Sequence, residues 1–111
     1  MKGLNKVTLI GNLGKDPENT VLDNKTNVTK FSLATSESYK DEKGEKHTTT
    51  EWHSVVMWNS LASLAIKYLK KGSSIYLEGK LKTRIYETKE GEKKQITEIV
   101  AENFIMLDKP E

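Results

Sequence analysis

Only one stretch of this chain, SLASLAIKYLKKG (60–72), carries an apolar repeat of helical period. Leu61, Leu64, Ala65, Tyr68 and Leu69 fall at i, i+3, i+4, i+7 and i+8, the spacing of a single helix face. Ser60 is placed to cap the first turn, Lys70 and Lys71 close the last, and Gly72 suits the left-handed residue just past a helix end. The apolar stretches around it have a different rhythm. LNKVTLIGNLG (4–14), NVTKFSLATSESY (27–39) and TEWHSVVMWN (50–59) come before it and read as strands. SSIYLEGKLKTRIYE (73–87) and QITEIVAENFIML (95–107) come after it and read the same way. The order is three strands, one helix, two strands.

The segments between the strands are short. KDPEN (15–19) reads as a turn, with Pro17 holding Asp16 extended. KDEKGEKHTT (40–49) and TKEGEKK (88–94) read as charged, glycine-containing hairpin loops. Hairpin-joined neighbours imply an antiparallel, meander-like sheet. Five strands with a helix between the third and fourth match the OB-fold, a five-stranded, partly open Greek-key barrel. Gly79, inside the fourth strand, fits a barrel corner or bulge. In the first strand Gly11 and Gly14 point to a bend or a close backbone approach. Val7 and Leu9 take one face there, with Ile10 and Leu13 assigned to the other. Other small barrels are compatible with the same order.

A chain of 111 residues fits one domain, taken here as 1–107 with a short tail at 108–111. It has no cysteine, which excludes disulfides and thiolate metal sites. The opening MKGLNKVTLIG lacks the apolar core of a signal peptide, and no stretch approaches a membrane span of about 18 apolar residues. A cytoplasmic protein without a membrane partner is expected. There is no phosphate-binding G-x-x-x-x-G-K-[ST] loop and no H-E-x-x-H. His47 and His53 are the only histidines, and no nucleophile–base–orienter set accompanies them. Neither an enzyme nor a cofactor is expected.

The net charge of +2 is too small to name a partner, but its distribution is uneven. Residues 1–52 are neutral overall, and residues 87–111 carry a net −3. Residues 53–86 hold Lys67, Lys70, Lys71, Lys80, Lys82 and Arg84 against Glu78 alone. Along the fourth strand Lys80, Lys82, Arg84 and Tyr86 share one face. Three neighbouring unpaired cations would each cost several kcal/mol to bury, so that face is solvent-exposed. Leu81, Thr83 and Ile85 share the other, which reads as core. Along the third strand Trp52, Ser54, Val56 and Trp58 share a face opposite His53, Val55 and Met57. Rings in the core and rings on an open groove both fit the two tryptophans. The second suits nucleic acid, which needs flat rings for bases and cations along its backbone path. Tyr39 and Tyr86 stand at the mouths of the two charged loops and add further rings.

The blocks NKVTLIGNLGKDPE (5–18), LATSES (33–38), TEWH (50–53), VVMW (55–58) and TRIY (83–86) stand together and in order. In this the chain closely resembles the bacterial single-stranded DNA-binding protein family, SSB, over essentially all of that family's OB domain. The resemblance implies sequence-independent binding of single-stranded DNA, coating and protecting it in replication, recombination and repair. It implies base stacking on Tyr39, Trp52, Trp58 and Tyr86. It also implies phosphate contacts from Lys6, Lys43, Lys71 and Arg84. Lys70, Lys80 and Lys82 join that set from the charge pattern alone. Ser54 and Ser60 stand where other members are basic, which implies fewer phosphate contacts.

The resemblance further implies a homotetramer in the bacterial cytoplasm, associated with the nucleoid. Its subunit contacts would come from the first strand, through Leu4, Lys6, Thr8 and Ile10. His53 matches a position near a subunit contact, although an ordinary hydrogen-bonded imidazole on the core side fits it as well. Members usually continue into a flexible linker and an acidic tip that recruits replication and repair proteins. This chain ends at FIMLDKPE, so such partners depend on a tail in the native gene. Two other functions fit less well. A primosome interaction module built on the same fold would not need four stacking rings. A single-stranded RNA binder differs little, because stacking is almost blind to the sugar.

Overall fold

The computed structural model describes residues 2–108. Met1 and residues 109–111 lie outside the described residues, and with them most of the tail expected at 108–111. The elements are β1 (Val7–Leu13), β2 (Glu18–Val21), β3 (Asn27–Lys40), β4 (Lys46–Trp58), α1 (Asn59–Tyr68), β5 (Ser74–Glu87) and β6 (Lys93–Met106). Strands β1, β5, β6, β4 and β3 follow one another around a barrel that closes where β3 meets β1 at Asn12–Ala34 and Leu13–Leu33. This is the five-stranded OB architecture. Four of its seams are antiparallel. The fifth, β4 against β6, is parallel and short, pairing Val55 with Ile99 and Val56 with Val100.

The inward residues make one core. Leu13, Leu33, Val55, Met57, Ile75 and Leu77 are almost fully buried, and α1 seals one end with Ala62, Ala65 and Leu69. Alternation accounts for this directly. Val55 and Met57 point in while Trp52 and Trp58 point out. Leu13 lies inward with the partly buried Val7 and Leu9, not opposite them; only Ile10 of that group faces out. The period-two count from Val7 leads to Leu13, so the assignment of Leu13 to the other face is corrected.

Four further departures have physical causes. First, β2 occupies residues read as part of a turn. All four residues of ENTV are exposed, so no alternation marks the strand, and its pairing with Asn27–Lys30 creates it. Second, α1 begins before Ser60. Trp58 occupies the cap position with no side-chain cap bond, and Asn59 turns the chain with φ 57°. Ser60 therefore lies inside the helix. Gly72 does adopt a left-handed φ of 90°, but three residues past the C-cap Leu69. It serves the turn into β5, where its N–H donates to the Leu13 carbonyl at 2.9 Å.

Third, the buried face of α1 is narrower than its apolar stripe. Leu64 and Tyr68 are exposed, and the alanines carry the contact. The small side chains allow a close approach to β3, where the Thr29 hydroxyl donates to the Ala62 carbonyl at 3.0 Å. Fourth, Leu81 and Ile85 are 50% and 65% exposed, so their face is not core. From Lys80 onward every residue of β5 is exposed, because the β5–β6 hairpin runs past the barrel and no element among the described residues covers either side. The transition falls at Gly79. A register shift between Glu78 and Gly79 marks a bulge there, and a β-carbon at Gly79 would strike the Val100 carbonyl oxygen and lie 2.9 Å from the Ala101 Cα.

Candidate nucleic-acid interface

The outer face of β3 and β4 sets out the first part of the site. Cross-strand partners pair Val28 with Trp58, Lys30 with Val56, Ser32 with Ser54 and Ala34 with Trp52. The residues beside Trp52 are small, so its ring stands 60% exposed. Beneath the ring lies Gly14, where a β-carbon would come within 2.7 Å of the Trp52 Cη2. Trp58, 42% exposed, ends β4 immediately before the helix.

Across the parallel seam, β6 and the projecting part of β5 continue this surface. One groove is lined by Trp58, Val28, Val56 and Val100, with Lys30, Lys80, Lys82 and Arg84 around it. Glu18, Thr20 and Leu22 of the β2 hairpin close its side, and Glu98 lies within it. A shallower hollow shares Glu18, Lys30, Arg84 and Glu98 and leads on to Lys15, Ser32 and Ser54. The cation row of β5 and the ring of Trp58 therefore face one space. Tyr86 shares the row's face, 40% exposed, with the Arg84 guanidinium 5.9 Å from its ring centroid.

Arg84 is not an unpaired cation. Its Nε–H donates to Oε1 of Glu98 at 2.8 Å, and the Glu98 side chain is only 11% exposed. That hydrogen bond, and then the attraction between the two charges, raises the guanidinium pKa above its ordinary value.

Tyr39 sits differently. Alternation along β3 gives it the face of Leu33 and Thr35, on the reverse of the ribbon from Ala34 and Trp52. It is 56% exposed and stacks on its cross-strand partner His47, with centroids 5.3 Å apart and planes 24° apart. His47 Nε2 lies 2.8 Å from Oδ2 of Asp41. Oδ1 of Asp41 accepts the N–H groups of Lys43 and Glu45, each at 2.9 Å, and so closes the loop. These bonds hold the Asp41 carboxyl below its ordinary value of 3.8, the His47 contact most of all. Asp41, Glu45 and His47 offer ligand atoms within 4.8 Å of one another, but the Asp41 oxygens already serve the loop.

The remaining candidates are spread over the surface. Lys43 is on that loop. The N–H of Lys71 donates to Oδ1 of Asp16 at 2.7 Å, which ties the α1–β5 connection to the turn after β1, and the N–H of Lys70 donates to Oγ of Ser73. Lys6 pairs with Glu78 at 3.1 Å and lines a separate hollow with Leu4 and Asn5, away from the groove. Leu4, Thr8 and Ile10 are exposed on or near β1, while His53 is half-buried with Nε2 2.8 Å from the Thr35 hydroxyl. The sequence reading put Val56 on the tryptophan face but did not assign Lys30, Val28 or Glu98 to the site. Lys30 and Val28 were within reach, since they share the parity of Ala34. Glu98 was not, because its partner lies diagonally across a strand pair.

Residues 4–107 match the model of the single-strand binding protein family. The chain belongs to that family. It is 49% identical over 107 residues to single-stranded DNA-binding protein 1 of Chlorobaculum tepidum, covering 96% of this chain and 66% of that protein. It is 46% identical over 104 residues to the single-stranded DNA-binding protein of Neisseria meningitidis serogroup B, covering 94% and 60%. The chain thus spans less than two thirds of the length of these SSB relatives. Among solved structures, a Plasmodium falciparum SSB in complex with ssDNA superposes with a TM-score of 0.88 at 38% identity, covering 97% of this chain and 98% of that one. A deletion mutant of the Thermus aquaticus single-stranded DNA-binding protein gives 0.82 at 31% identity, over 96% and 51%.

Proposed function

We propose that this chain binds single-stranded DNA without regard to sequence and coats it during replication, recombination and repair. The observation that carries the reading is the shared groove. Trp58 lines it together with Val28, Val56 and Val100, and Lys80, Lys82 and Arg84 line it as well. A base on an exposed ring gains about 1–3 kcal/mol, whatever its identity, because every base has a π-face. Trp52, Trp58 and Tyr86 supply platforms along one surface. Tyr39 extends the path onto the reverse of the β3–β4 hairpin, so a strand that uses all four rings wraps around that arm. Phosphates meet Lys80, Lys82 and Arg84, with Lys43, Lys70 and Lys71 further along. Lys30 belongs to the same set. No catalytic step is involved.

The DNA-binding unit is residues 1–107, acting as a homotetramer in the cytoplasm. Support comes from β1. It pairs with β5 from Val7 to Asn12 but with β3 only at Asn12 and Leu13, which leaves backbone groups along one edge. Ile10 and Leu4 lie exposed beside it. Lys6, Thr8 and His53 complete the proposed contact. Among the described residues no helix is long and apolar enough to cross a membrane. Replication and repair proteins are partners of a longer chain that carries an acidic tip.

Titration with poly-dT, poly-rU and duplex DNA at one salt concentration, followed by sizing, tests the reading. Tight binding of poly-dT over duplex by a species of four subunits is expected. Equal binding of all three, or none, overturns it, and preference for poly-rU moves the assignment to RNA.

A further inference from the structure

A carboxylate on the floor of a groove for a polyanion calls for an explanation. Glu98 is the one acid among the buried polar residues described, lying beside Val56 and Val100 in the same groove as Trp58. We propose that Glu98 is a specificity residue that admits base edges and rejects phosphates, so that it sets the preference for single strands over duplex. This rests on the reading of the groove as a single-stranded DNA site.

The argument is chemical. An ionised carboxylate only accepts hydrogen bonds. Each of the four bases carries at least one N–H donor on its pairing edge, whereas a phosphate offers acceptors and negative charge. A carboxylate in the same groove as a stacking ring therefore accepts any base edge, with no demand on sequence, and repels the backbone. In a duplex the pairing edges are occupied, and the surface offered to the groove is phosphate. Arg84 is the partner of this carboxylate. Its Nε–H bond at 2.8 Å compensates the buried Glu98, and its head group remains half exposed at the rim. Lys82 lies directly opposite Glu98 on the neighbouring strand and adds a second positive neighbour. The bases are directed inward and the phosphates toward the rim cations.

The test compares wild type, Glu98→Gln and Arg84→Met for binding of poly-dT, duplex DNA and inorganic polyphosphate across a salt series. Glu98→Gln keeps the shape, removes the charge and adds a donor. It should tighten duplex and polyphosphate binding by about fivefold, the scale of one partly exposed charge pair, and steepen their salt dependence. Poly-dT binding should change less, so the preference for single strands narrows. Arg84→Met should do the reverse, widening the preference as Glu98 loses its counter-charge, and it answers the question if Glu98→Gln does not fold. An unchanged ratio of poly-dT to duplex affinity in the folded variants overturns the inference. A wild-type protein with no preference for poly-dT overturns instead the reading on which it rests.

Discussion

The ring of Trp52 lies across Gly14, with no room between them for a β-carbon. The turn after β1 thereby packs against the ring of a residue that is otherwise 60% exposed. On the proposed path a base arriving at Trp52 meets a ring already held in place, which lowers the ordering cost of binding. In the proposed reading the glycine of GNLG serves the ring as well as the turn.

Gly14→Ala should displace the ring and leave the barrel intact, because the clash is with a side chain rather than with backbone. Binding of poly-dT should weaken by up to about 1 kcal/mol, a fraction of a full stacking contribution. Thermal unfolding should move by only a few degrees. Parallel titrations and melting curves check this, and a large drop in melting temperature with unchanged binding would make Gly14 a purely structural residue.

Gly11→Ala and Gly79→Ala should behave in the opposite way. Their β-carbons would meet backbone, the Ala34 carbonyl group in one case and Val100 and Ala101 in the other. Overpacking against backbone costs about 1–3 kcal/mol. Denaturant unfolding should show both variants destabilised on that scale, and stability equal to wild type would contradict the tight barrel corners described.

Trp52→Ala and Trp58→Ala should each weaken binding by about 1–3 kcal/mol and leave folding nearly unchanged. Both rings lie outside the core cluster. A variant that fails to fold would place that ring's main role in the barrel.

The tip of the β3–β4 hairpin should loosen in acid. Asp41 has a depressed pKa, so its stabilising bonds are fully present above its ordinary value of 3.8 and are lost as the pH falls below it. NMR of the Lys43 and Glu45 amides should show release of their hydrogen bonds below about pH 4. Asp41→Asn should remove the transition, and amides indifferent to pH would assign the loop's order elsewhere.

Much of this was legible from period alone. The five barrel strands and the opposed faces of Val55–Met57 and Trp52–Trp58 follow from alternation, because a half-buried strand must alternate, and the helix follows from its own repeat. The β5–β6 projection was not legible. KLKTRIY alternates equally well with or without a covering layer, and only the end of the barrel at Gly79 leaves Leu81 and Ile85 in water. The start of α1 was hidden because backbone geometry at Asn59, not a side-chain cap, begins it. Tyr39 faces the reverse of its hairpin by the same parity that places Ala34 beside Trp52, a count that resemblance to a stacking motif does not include. The Arg84–Glu98 pair joins residues 14 apart on two strands, and only the register of β5 against β6 brings them together.

The most direct test of the account follows tryptophan emission while poly-dT is added, with complex formation monitored separately by sizing. Trp52 and Trp58 are the chain's only two tryptophans, and both face outward on the proposed path. Strong quenching that saturates with complex formation is the predicted result. Emission that stays unchanged while the complex forms would contradict stacking on these rings.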